Sequence, residues 1–148
     1  MLGDSKKLVP INVITGFLGS GKTTLLKRLL SSKNMAKTVI LVNEFGEVGL
    51  DHHLIEHIDE STILLQSGCI CCTIREDLTS TLIDLLDKKY AKKIDFNRVV
   101  LETTGLADPS PIIYSVYKGD LVKNHFRLSN VITTVDAING SLHMQDNF

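Results

Sequence analysis

Apolar residues fall along this chain in two recurring patterns. Short runs of Val, Ile and Leu alternate with longer stretches in which leucines return every three or four positions. The first pattern marks strands and the second amphipathic helices. Ile11, Val13 and Ile14 predict a strand over 11–15, with Pro10 at its start. Leu25, Leu26, Leu29 and Leu30 share one helical face and predict a helix over about 22–32. The run TVILV at 38–42 is continuous and largely β-branched, as in a strand buried on both faces. A further apolar run covers 62–65. Ile74, Leu78, Leu82, Leu85 and Leu86 then predict a helix over about 74–89, opened by the capping box Thr73-Ile74-Arg75-Glu76. NRVVLE at 97–102 predicts another strand. Asp108 and Pro109 fit an N-cap and first helical residue, for a helix over about 109–117. NVITTV at 130–135 predicts the last strand, and residues 1–7 read as a loose leader. There are no internal repeats.

Strands alternating with helices imply parallel βαβ units, and so an α/β fold with a mainly parallel sheet and helices on both faces. Ligands of such sheets bind beyond the carboxyl ends of the strands. The polar motifs of this chain each lie just after a predicted strand.

The first of these motifs is Gly16-Phe17-Leu18-Gly19-Ser20-Gly21-Lys22-Thr23, a G-x-x-x-x-G-K-T phosphate-binding loop between a strand and a helix. Glycines let backbone N–H groups turn around phosphate oxygens, and the helix adds the positive end of its dipole. Gly19, Ser20, Gly21, Lys22, Thr23 and Thr24 are the expected nucleotide contacts. Lys22 is placed for the β/γ-phosphates and Thr23 for Mg²⁺. Glu102 ends the strand at 97–102, where a carboxylate beside a phosphate loop can hold Mg²⁺ directly or through water. Gly105, three residues on, fits a backbone N–H aimed at a terminal phosphate.

Glu44 and Glu47 follow the second strand and fit three roles: metal ligands, groups that orient an attacking water, or solvated loop charges. His53 and His57, with His52 beside them, would share a face if helical, which is a metal-ligand spacing, but solvated histidines are the favoured reading. Cys69-Ile70-Cys71-Cys72 is sharper. Thiolates are soft ligands for ions such as Zn²⁺, and a following helix N-terminus favours the ligating form. Three cysteines supply one ligand fewer than a closed tetrahedral zinc site, which suits metal transfer. The alternative is a set of buried, inert cysteines.

Composition adds exclusions. The 148 residues carry a net charge of −1 and no long basic run, which excludes an obvious nucleic-acid or anionic-membrane surface. No apolar run approaches a membrane span and the first residues lack a signal-peptide core, so a cytoplasmic location is expected. Three clustered cysteines point away from a disulfide framework.

Together the phosphate loop, Asn43-Glu44-Phe45-Gly46-Glu47-Val48-Gly49, Gly68-Cys69-Ile70-Cys71-Cys72, and Glu102-Thr103-Thr104-Gly105 followed by Ala107-Asp108-Pro109 resemble one family. The sequence looks like a CobW-type GTPase, a metal chaperone with a P-loop NTPase fold. The resemblance runs from about Pro10 to Asp136. It implies GTP binding with Mg²⁺ and slow hydrolysis, with Lys22, Glu44 and Glu102 as catalytic residues. It places Glu102 and Gly105 in the second nucleotide motif, and Thr23 and Glu102 on Mg²⁺. It implies zinc or cobalt held by Cys69, Cys71 and Cys72 with help from Glu44 or Glu47, and delivery to a client metalloprotein.

The family's pattern continues with an Asn/Ser/Thr-Lys-x-Asp guanine-reading motif and a C-terminal domain. Neither occurs in these 148 residues, and Asp136 lacks the required Lys. Residues 1–148 are therefore expected to be the N-terminal part of a GTPase domain, with a sheet incomplete on its C-terminal side whose edge favours homo-oligomers. Two other functions compete. One is a P-loop small-molecule kinase, for which Arg28, Arg75, Arg98 and Arg127 offer no clustered pair. The other is a non-enzymatic zinc-binding interaction module.

Overall fold

The computed structural model describes residues 8–43, 63–67, 74–103 and 109–145. Five strands form one sheet: β1 (Val9–Gly16), β2 (Thr38–Asn43), β3 (Ile63–Ser67), β4 (Arg98–Glu102) and β5 (Phe126–Thr134). All pairs are parallel, in the order β3-β2-β4-β1-β5. The helices are α1 (Lys22–Leu30), α2 (Ile74–Tyr90), α3 (Ser110–Lys118), α4 (Asp120–Lys123) and α5 (Gly140–Gln145), with a 3-10 turn at Lys33–Met35.

Alternation along the strands sorts side chains between two cores. Ile11, Val13, Val39, Leu41, Val99 and Leu101 meet Leu78, Leu82 and Leu85 of α2, Ile112 and Val116 of α3, and Val122 of α4. Ile14, Ile40, Val42 and Val100 point the other way, onto Leu26 of α1 and Met35. Glu102 has the parity of Val100, so the last side chain of β4 lies on the α1 side.

The order of strands places a crevice. β1 leads through α1 to β2, beyond β4 on one side, whereas β4 leads through α3 and α4 to β5, beyond β1 on the other. Adjacent strands whose connections part in this way leave a binding crevice at their carboxyl ends. Here those ends are Gly16 of β1 and Glu102 of β4, with Ile14 opposite Glu102 in the register.

The predicted elements are all present, with shifted bounds. α1 stops at Leu30, and Ser32 instead caps the 3-10 turn by accepting from the Asn34 N–H. Pro109 is the N-cap of α3 rather than its first helical residue. The last strand begins at Phe126, four residues before the expected 130. Its apolar pattern is broken at Ser129-Asn130, where β5 carries an extra residue: Leu128 opposes Ile11 and Asn130 opposes Asn12. Helices α4 and α5 have no counterpart in the periodicity, being only four and six residues long. The leader 1–7, Thr73 of the capping box and Asp108 lie outside the described residues.

Candidate functional site

The phosphate loop joins β1 to α1 through three glycines with positive φ: +140° at Gly16, +78° at Gly19 and +94° at Gly21. Gly21 is the N-cap of α1, so no side chain caps this helix, and its first turn carries no acidic residue. Lys27 and Arg28 stand in the last turn, where they complement the dipole. The helix thus presents backbone N–H groups and a positive end to the crevice, the physical basis of anion binding.

Lys22 is buried, 7% exposed, and folds back over the loop. Its Nζ donates to the carbonyls of Gly16 and Phe17, each at 2.9 Å. Burial lowers its pKa from 10.5, and the Glu102 carboxylate opposes that shift. Thr23, on the first turn of α1, donates from Oγ1 to Glu102 Oε1 at 2.9 Å. Glu102 is only 5% exposed. The next residue continues the junction: Thr103 N–H donates to Ile14 O at 2.9 Å, and its hydroxyl donates to Thr15 Oγ1 at 3.0 Å.

The fold therefore brings Gly19, Ser20, Gly21, Lys22, Thr23 and Glu102 to one place. Thr24 is exposed. Glu44, Glu47, Cys69, Cys71, Cys72, Gly105, His52, His53 and His57 lie outside the described residues. Two threonines join the site without having been singled out in the sequence, Thr15 and Thr134, whereas Thr103 belongs to the Glu102–Gly105 motif. A threonine at a strand end has no local signature. A separate groove of about 400 Å³, lined by Pro10, Asn12, Arg98 and Arg127 among others, contains none of these residues and is not this site.

The Thr23–Glu102 pair also bears on a divalent cation. Both are hard oxygen donors, the preference of Mg²⁺. Thr23 gives its only hydroxyl proton to Glu102, so its oxygen keeps lone pairs for a cation. These residues fit the ion.

The CobW/HypB/UreG nucleotide-binding-domain profile matches residues 10–147. The chain belongs to this family. Among its relatives, the zinc chaperone YjiA of Escherichia coli is 40% identical over 136 residues, covering 92% of this chain and 43% of that protein. The zinc-regulated GTPase metalloprotein activator 1 of Schizosaccharomyces pombe is 35% identical, covering 88% and 32%. The zinc chaperone CobW of Pseudomonas aeruginosa is 33% identical, covering 87% and 36%. The crystal structure of Zn(II)-bound YjiA GTPase superposes with a TM-score of 0.73 at 32% identity, covering 94% of this chain and 44% of that one. The chain thus spans less than half the length of these relatives. The P-loop GTPase-type fold expected from the sequence is the one found. Among the described residues no helix is long and apolar enough to cross a membrane.

Proposed function

We propose that this chain is the nucleotide-binding part of a cytoplasmic GTP-dependent metal chaperone. It binds GTP with Mg²⁺, hydrolyses it slowly, and couples the nucleotide state to a metal held by Cys69, Cys71 and Cys72. The metal is zinc, with cobalt as a second cargo, and its destination is a client metalloprotein. The observation that carries the nucleotide half of this reading is the Thr23–Glu102 hydrogen bond, which ties the first turn of α1 to the end of β4. Kinship with proteins named zinc chaperones supports the metal half.

The chemistry follows from the residues. Lys22 has three N–H donors and uses two on loop carbonyls, which leaves the third for a phosphate oxygen. The α1 N-terminus neutralises part of the phosphate charge. Thr23 and Glu102 would hold Mg²⁺, which draws charge from the phosphate oxygens during transfer. Glu44 is proposed to orient the attacking water, and Gly105 to offer its N–H to the terminal phosphate. Glu47 is proposed to assist the cysteines. In the sequence the cysteine motif follows β3 as the phosphate loop follows β1, and the parallel run of these strands supports the coupling.

The test is a Zn²⁺ titration with and without Mg²⁺ and a non-hydrolysable GTP analogue. Zinc affinity is expected to shift between the two conditions, and to drop in a Cys69→Ser, Cys71→Ser, Cys72→Ser triple variant. The same zinc affinity with and without nucleotide sinks the coupling. An unchanged GTP affinity in Lys22→Ala sinks the nucleotide half.

A further inference from the structure

Thr134, the last residue of β5, is tied to the phosphate loop at three points. Its Oγ1 donates to the carbonyl of Thr15, where the loop leaves β1, at 3.2 Å. The same oxygen lies 2.6 Å from Ser20 Oγ, at the far side of the loop. Gly16 is its register partner, and a Cβ on Gly16 would stand 2.3 Å from the Thr134 carbonyl oxygen and 2.4 Å from its hydroxyl.

Counting protons fixes the direction of these bonds. A hydroxyl has one proton, and that of Thr134 goes to Thr15 O. Ser20 must then donate to Thr134. The Ser20 N–H is already directed at Phe17 O, at 3.1 Å. Both protons of Ser20 are engaged within the protein, so its side chain shapes the loop instead of donating to a phosphate. The next residues, Gly21 and Lys22, are the N-cap and first residue of α1, whose leading N–H groups have no acceptor within the helix.

We propose that Thr134 is a positioning residue of the phosphate loop. It clamps the two sides of the loop, through Thr15 and Ser20, and thereby aims the α1 N-terminal amides at the nucleotide's phosphates. This rests on the nucleotide reading above. It makes β5, an outer strand of the sheet, part of the nucleotide site without touching the ligand. It also gives Gly16 a steric reason, since the clamp leaves no room for a side chain there.

The experiment is calorimetric titration of GDP with Mg²⁺ into the unsubstituted chain, Thr134→Ala, Thr134→Ser, Ser20→Ala and the double variant Ser20→Ala/Thr134→Ala. Loss of the one Ser20–Thr134 hydrogen bond predicts GDP binding about three- to tenfold weaker in Ser20→Ala, and at least as large a loss in Thr134→Ala, which also gives up the bond to Thr15 O. The double variant is expected to be no weaker than the weaker single one, because both remove the same clamp. Thr134→Ser keeps the hydroxyl and should bind as the unsubstituted chain does, with nucleotide-free melting temperatures unchanged. If Thr134→Ala fails to fold, Thr134→Ser and Ser20→Ala decide the matter by the same criteria. Unchanged affinity in Ser20→Ala, a Thr134→Ser variant that does not rescue, or losses that multiply in the double variant overturn the proposal. No GDP binding by the unsubstituted chain overturns the nucleotide reading, and this one with it. Binding that survives removal of the clamp overturns this one alone.

Discussion

Lys22 is held in a place that suits its charge poorly until an anion arrives. Burial lowers its pKa below the ordinary 10.5, and Glu102 only partly offsets this. A lysine whose pKa falls on folding weakens the fold while charged. That cost fades as pH rises through the folded value toward 10.5. Phosphate oxygens beside the ammonium act in the opposite direction and raise its pKa. In the alkaline interval just below 10.5, nucleotide binding should therefore take up protons. Calorimetry in two buffers of different ionisation enthalpy measures this directly. In Lys22→Arg, whose guanidinium stays charged, the uptake should vanish. Equal uptake in both proteins would assign the proton to another group.

The helices show which features of this fold the sequence announces. α2 was predicted from five apolar positions, and its start and length agree with the structure to within one residue. The way it is capped was not legible. The Lys92 N–H donates to Lys89 O at 3.0 Å and the Lys93 N–H to Lys88 O at 2.9 Å, the pair of bonds of a Schellman cap. The left-handed residue of that cap is Lys92, at φ +56°, where glycine is usual. Lys92→Gly should stabilise the chain by about 0.5–1 kcal/mol, read from denaturant midpoints at unchanged slope, and leave nucleotide affinity alone. A destabilised variant would mean that the Lys92 side chain contributes more than its backbone strain costs. Strand β5 was half hidden for a different reason. Its bulge at Ser129 interrupts the apolar run, and only pairing with β1 supports Phe126 to Leu128 as strand. The site divides in the same way. The glycine spacing and the strand-ending Glu102 are local patterns and were readable. The Ser20–Thr134 contact spans 114 positions and exists only because parallel register sets Gly16 against Thr134.

At the scale of the whole molecule, one sheet separates two cores that serve stability and function differently. Leu82 is fully buried in the larger core, against α2's own face of the sheet. Leu26 is buried in the smaller one, on α1, one turn beyond Lys22 and Thr23. Truncation to Ala should cost about 2–5 kcal/mol at either position, because both leave a cavity in a packed interior. For a chain of this size that lowers the melting temperature by several degrees. The response to nucleotide should differ. Ligand at a hundred times its dissociation constant stabilises by about 2.7 kcal/mol. Leu82→Ala should keep that full increment, since α1, which carries the N-terminal amides, lies on the opposite face of the sheet. Leu26→Ala should lose part of it, because α1 is then seated less firmly and its N-terminal amides are aimed less well. Melting curves at fixed GDP and Mg²⁺ measure both increments. The same increment in the two variants would show that the seating of α1 does not govern how its N-terminus meets the phosphates.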